Sequence, residues 1–150
     1  TEDSTLLGDP IRNGAVLLFE NTAFPPPDAT FRDGDRFHLD GSPVSTAERE
    51  EAAWIQVLHT PGHTSGSCCF ALGIGRDETL AIFTGDTLFR LSCGRTDLPG
   101  GSASRMRASL ARLAEWPGDP AVFPGHGEPT TLGQERERNR WLRASLRRKG

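Results

Sequence analysis

The chain has 150 residues and a mass of 16.3 kDa, which suits one domain around one core and leaves little room for a second. With 35% hydrophobic and 25% charged residues it reads as globular rather than disordered, and no apolar run approaches bilayer-spanning length, so no membrane partner is expected. A formal net charge of −3 argues against a nucleic-acid-binding protein, and 17 glycines with 11 prolines exclude a bundle of long helices.

The charge is graded along the chain. Residues 1–53 sum to −7, residues 54–133 to −1 and residues 134–150 to +5. A basic ending of this kind reads as a solvated helix face. Cys68, Cys69 and Cys93 form no C-x-x-C pair. Neighbouring residues on a strand point to opposite faces, so Cys68 and Cys69 are badly placed to chelate one ion together. Buried free thiols in a reducing, cytoplasmic setting are the expectation.

In chain order, residues 1–31 form a loop-rich lead-in with an apolar stretch, Ala15–Phe19, and the stiff Pro25-Pro26-Pro27 connector. Residues 32–150 are expected to hold a sheet layer and helices. Arg36–Leu39 alternates as a strand, with His38 facing solvent, after the Asp33-Gly34-Asp35 turn. A polar insertion, Gly41–Ala53, contains Ser45 and Glu48 at capping-box spacing. Trp54–His59, Ser67–Leu72 and Thr79–Thr84 read as strands, each bounded by glycine or proline. Ser102 is the predicted N-cap of a helix carrying Met106, Leu110, Leu113 and Ala114 at helical spacing, stopped by Pro117-Gly118. Ala121–Phe123 makes a short strand. Thr131 and Gln134 then open one final helix with Trp141, Leu142 and Leu146 on its apolar side. This order of elements predicts an α/β (α+β layered) domain.

Two segments share one design. Thr60-Pro61-Gly62-His63 and Phe123-Pro124-Gly125-His126 each end a strand with proline, which cannot continue a central ladder, and glycine, which turns the chain. Each turn projects a histidine from a strand end. A third strand ends in Thr84-Gly85-Asp86 and presents a carboxylate in the same way. Two imidazoles and one carboxylate at the ends of adjacent strands are nitrogen and oxygen ligands suited to zinc, manganese or iron.

The runs Leu58-His59-Thr60-Pro61-Gly62-His63-Thr64, Phe83-Thr84-Gly85-Asp86-Thr87-Leu88-Phe89 and Phe123-Pro124-Gly125-His126-Gly127 resemble the later metal motifs of the metallo-β-lactamase-fold hydrolases. Gly94-Arg95-Thr96-Asp97-Leu98-Pro99-Gly100-Gly101 and the ending Thr130-Thr131-Leu132-Gly133-Gln134-Glu135 with Asn139 are similar to the glyoxalase II-like branch, the hydroxyacylglutathione hydrolases and their short bacterial relatives. The resemblance covers nearly all of residues 28–142. It implies an αββα sandwich with a dinuclear site at one edge. His63 would complete one metal's ligands, His126 the other's, and Asp86 would bridge both ions. Two zinc ions are implied, with iron and manganese as alternatives. Metal-bound hydroxide, available near pH ~7, would attack a small-molecule thioester, with no serine or cysteine nucleophile.

The sequence departs from that family in lacking its first metal motif, H-x-H-x-D-H. Three ligand positions are present and the remainder have no counterpart. Residues 1–150 therefore read as the C-terminal portion of a single metallo-β-lactamase domain without its N-terminal strands, in keeping with Thr1 as first residue and Met106 as the one methionine. The missing N-terminal segment, or another chain, would complete the fold. Around the site, His59 suits packing or support of a ligand. Cys93 is either a substrate contact or a plain loop thiol, and Arg95 pairs with Asp97, holds an acidic substrate or pins its loop. Two other readings stay open: an iron-dependent persulfide dioxygenase-type relative, and a degenerate non-catalytic binding module.

Overall fold

The structure is a computed structural model that describes residues 30–39 and 52–146. The lead-in up to residue 29, and the Ser45 and Glu48 pair, lie outside the described residues. Strands β1 (Arg36–His38), β2 (Ala53–His59), β3 (Cys68–Ile74) and β4 (Glu78–Gly85) form an antiparallel meander. A small hairpin follows, β5 (Leu88–Phe89) with β6 (Ser92–Cys93). Helix α1 (Ala103–Ala114) then crosses to β7 (Ala121–Pro124), which lies parallel to β4. Strand β8 (Thr130–Thr131) returns antiparallel to β7, and α2 (Leu132–Arg138) and α3 (Arg140–Leu146) follow. The main sheet runs in the order β1-β2-β3-β4-β7-β8.

The predicted strands appear within one or two residues of their expected bounds, and each for a local reason. β2, β3 and β4 are rich in β-branched and apolar residues between proline or glycine turns. α1 begins where Ser102 Oγ accepts the Arg105 N–H at 3.4 Å, and it ends at Glu115, just before Pro117-Gly118. The α2 start is set by Thr131, whose hydroxyl accepts the Gln134 N–H at 3.3 Å. The single final helix expected from the sequence is instead two. Asn139 adopts an extended conformation (ψ 112°), and its Oδ1 accepts the N–H groups of Trp141 and Leu142 at 2.9 and 3.3 Å. That cap starts a new helix in a new rotational phase. Leu142 is fully buried, but Trp141 faces out, with the Arg140 guanidinium 4.8 Å above its ring. His38 is half-buried rather than solvent-facing.

The core lies between one face of the sheet and the helices. Trp54, Leu58, Ile82 and Val122 from the strands meet Met106, Leu110 and Leu113 of α1, Leu132 of α2 and Leu142 of α3. Burying such side chains contributes roughly 1.5–3 kcal/mol each. The opposite face is aromatic. Phe83 and Phe123, paired in the β4–β7 register, stack at 5.5 Å and are about half exposed, and Phe31 packs on Phe37 and Phe70. The described residues thus form one helix layer and one sheet layer of an αββα sandwich, with the sheet's second face apolar, as sheet-on-sheet packing requires.

One close approach fixes the end of β2 against α1. Gly62 has φ +150°, and a Cβ there would sit 2.5 Å from the Met106 Cα. The Gly62 carbonyl accepts the Ser102 N–H at 2.8 Å, and the Pro61 carbonyl accepts the Ser109 hydroxyl at 2.8 Å. Substituting Gly62→Ala is therefore expected to lower stability by about 1–3 kcal/mol, because α1 has to move away from the turn that carries His63. Truncating a central core residue, Ile82→Ala, should cost more, about 2–5 kcal/mol. Urea denaturation of both variants beside the parent checks the pair, and parental midpoints would refute the packing described.

Candidate metal centre

Three chain turns at one edge of the sheet bring His63, Asp86 and His126 together. After β2, Thr60 is buried and its hydroxyl meets those of Thr87 at 3.1 Å and the Cys69 thiol at 3.2 Å. That bond ties the turn leading to His63 to the turn after Asp86. After β4, Gly85 takes φ +49°, a left-handed conformation that glycine adopts without penalty. The Thr84 hydroxyl donates to the Leu88 carbonyl at 2.7 Å, and the Thr87 N–H to the Thr84 carbonyl at 2.9 Å. The carboxylate of Asp86 is thereby turned out past the strand end. After β7, the Gly125 N–H donates to the Gly85 carbonyl at 2.9 Å, which sets His126 alongside. A Cβ on Gly125 would come within 3.4 Å of Asp86 Oδ1, so the absence of a side chain keeps this approach open.

Each imidazole faces a different oxygen of one carboxylate. His63 Nε2 lies 3.7 Å from Asp86 Oδ2, and His126 Nε2 lies 3.4 Å from Asp86 Oδ1. Both separations exceed an ordinary N–H···O hydrogen bond. They match two donors of one ion, since bond lengths of about 2.0–2.2 Å at open angles separate nitrogen and oxygen by about 3.3–3.8 Å. The ring of His63 is fixed from behind, because its Nδ1 meets the Arg95 carbonyl at 2.9 Å. A carbonyl can only accept, so Nδ1 carries a proton, which in the neutral ring leaves the Nε2 lone pair on the side of Asp86. His126 is more open, with 81% of its side chain exposed, and its ring stands edge-on to Phe89 at 6.2 Å. The donor set thus fits two cations, each taking one imidazole nitrogen and one oxygen of the shared carboxylate. Among the described residues no three histidine, cysteine or acidic side chains converge on a single point.

The other sequence candidates fall around this centre. Arg95 holds Asp97 through two hydrogen bonds of 2.8 Å, and these keep the Asp97 carboxyl at about 2. Its main-chain carbonyl, not its guanidinium, reaches the site. Cys93 lines a cavity of about 330 Å³ with Met106, Leu110 and Trp141 on the helix side of the loop, and burial pushes its thiol up. His59 Nε2 meets the Ser65 carbonyl at 3.0 Å. Cys68, Cys69 and Cys93 are all free, and Cys69 is sealed in the core, its thiol pushed up to about 11 by burial. Sequence reasoning missed the structural use of Phe89, Glu135 and Asn139, although the last two stood within the recognised ending.

Comparison with known proteins identifies the family. The sequence profile that matches is the metallo-beta-lactamase superfamily, over residues 13–126. A hydroxyacylglutathione hydrolase of Rhizobium meliloti is 41% identical over 107 residues, 71% of this chain and 35% of its own length. An uncharacterized Aquifex aeolicus protein is 37% identical over 91% of this chain and 58% of its own. The chain therefore spans little more than half the length of such relatives, or less. Among solved structures, the BLEG-1 B3 metallo-beta-lactamase superposes with a TM-score of 0.72 at 31% identity, covering 95% of this chain and 62% of that one. A protein crystallised in a di-iron-bound form gives 0.59 at 32% identity, covering 93% and 61%. With the histidine–aspartate–histidine edge in place and the profile spanning most of its residues, the chain belongs to the metallo-beta-lactamase superfamily.

Proposed function

We propose that the protein is a metal-dependent hydrolase of small thioesters, similar in reaction to the hydroxyacylglutathione hydrolases. The observation that carries this reading is the single carboxylate of Asp86, whose two oxygens face His63 Nε2 and His126 Nε2 separately. A carboxylate can span two cations, whereas an imidazole serves one. When bound, such ions acidify a water to near neutral pH and stabilise the developing oxyanion of an attacked carbonyl. The chain's own groups set the stage for that chemistry. Arg95 O keeps the His63 proton on Nδ1, and the Gly85 turn aims Asp86 outward. The exposed edge of His126 leaves an open approach for substrate. Zinc is the ion proposed, and the relative crystallised with two irons makes iron the second candidate. No helix of the described residues is long and apolar enough to cross a membrane, and three free thiols suit the reducing cytoplasm we assign to it.

The test uses the full protein assayed on S-lactoylglutathione, beside Asp86→Ala and His126→Ala. Loss of the bridging carboxylate or of one ion's imidazole is expected to lower kcat/KM by at least about 100-fold, several kcal/mol of transition-state stabilisation. Wild-type turnover in both variants would end the metal-site reading. Prolonged dialysis against a chelator should likewise abolish activity and zinc should restore it, whereas undiminished turnover after metal removal would contradict it. Oxygen uptake with glutathione persulfide in place of thioester hydrolysis would assign the dioxygenase reading instead.

A further inference from the structure

The three candidate ligands meet one small element, the β5–β6 hairpin, or the residues that directly follow it. Asp86 lies two residues before it. Just after it, the Gly94 N–H donates to the Thr87 carbonyl at 3.4 Å, and Gly94 packs against the Asp86 carbonyl so closely that no Cβ fits. One residue further, Arg95 O holds His63 Nδ1. Within the hairpin, Phe89 supports the ring of His126. Yet each strand has two residues, too few for a hairpin to hold its own shape in water. Its tip also carries Leu91 at φ +60°, a left-handed conformation unfavourable for a residue with a Cβ. Something outside the hairpin has to fix it.

That grip comes from two fully buried polar side chains on the far side of the core. Glu135 Oε2 accepts the Leu91 N–H at 2.8 Å. The two N–H groups of Asn139 Nδ2 donate to the Ser92 carbonyl at 2.9 Å and to Glu135 Oε2 at 2.8 Å, and the Phe89 carbonyl lies 3.3 Å from the same nitrogen. Thr130 donates to Glu135 Oε1 at 2.8 Å. No cation pairs with Glu135 among the described residues. A carboxyl group buried without a cation is costly unless hydrogen bonds compensate, and an apolar side chain could occupy the same space more cheaply. What the apolar side chain could not do is hold the Leu91 N–H and the Ser92 carbonyl of the hairpin.

We propose that Glu135 and Asn139 are positioning residues for the metal centre, acting through the β5–β6 hairpin on His63, Asp86 and His126 together. The inference rests on the metal reading of that site. Asn139 also caps α3 through Oδ1, which allows its two roles to be separated. Asn139→Asp keeps a capping oxygen but turns the donor amide into a second oxygen facing two carbonyls and Glu135. Glu135→Gln keeps an acceptor for Leu91 and Asn139 and offers its amide to the Thr130 hydroxyl, whereas Glu135→Ala removes the grip.

The experiment measures cobalt(II) affinity of the full protein by chelator competition, together with the visible spectrum of the bound ion and thermal unfolding. Glu135→Gln should stay within a few-fold of the parent. Asn139→Asp and Glu135→Ala should bind cobalt about 10–100-fold more weakly, with an altered spectrum, while still folded. Parental affinity and spectrum in either folded variant overturn the proposal. If neither folds, Thr130→Val decides, since it removes one donor to Oε1: a weakened affinity supports the proposal and a parental one overturns it. A parent protein that takes up no cobalt contradicts the metal reading itself, and this inference with it.

Discussion

The position of one carboxylate governs the chemistry available at the sheet edge. Asp86 stands between two imidazoles, with nitrogen-to-oxygen separations of 3.7 and 3.4 Å to its two oxygens. Were the side chain aimed back along β4, the two histidines would be unrelated surface residues. Its direction is set by main-chain geometry: the left-handed turn at Gly85, the Gly125 N–H on the Gly85 carbonyl and the bare face of Gly94 against Asp86. Glycines serve here because each brings two backbones closer than a Cβ permits.

Behind that edge, stiffness is graded from core to site. The strands and α1 share a close-packed core in which Ile82, Leu58 and Leu113 are fully buried, and such packing deforms little. Short buried polar contacts carry that rigidity outward. The Thr60–Thr87 hydroxyl pair joins the turns that carry His63 and Asp86, and the Glu135–Asn139 pair grips the hairpin between Asp86 and the Gly94–Arg95 segment. Polar groups in these places are satisfied by hydrogen bonds, as burial demands. The sheet's second face presents stacked Phe83 and Phe123, an apolar surface of the kind that a packed second layer buries.

Much of this was legible before any coordinates. The strands of the meander and α1 announce themselves through apolar alternation, helical spacing and proline or glycine stops. The three ligand turns are visible because a Pro-Gly-His ending and a Gly-Asp ending each have few structural uses. Less accessible were elements too short to carry a pattern. The two-residue strands β5, β6 and β8 have no periodicity to read and owe their existence to tertiary contacts. No proline or glycine marks the break at Asn139, and the side chain that interrupts the helix is bonded to a hairpin nearly fifty residues away in sequence. Nor does local spacing show the burial of Glu135, whose partners, Leu91 and Thr130, are set by the fold. Arg95 was notable as a cation, whereas the atom that meets the site is its carbonyl oxygen, which side-chain chemistry does not reveal.

The central claim, that His63, Asp86 and His126 form a metal centre with His63 bound through Nε2, is tested most directly by imidazole nitrogen NMR of the full protein titrated with zinc. The account predicts that His63 and His126 change together on zinc addition, with His63 keeping its Nδ1 proton on the Arg95 carbonyl and losing its free Nε2 signal. Zinc uptake that leaves both imidazoles unchanged, or that engages His63 through Nδ1, would contradict it.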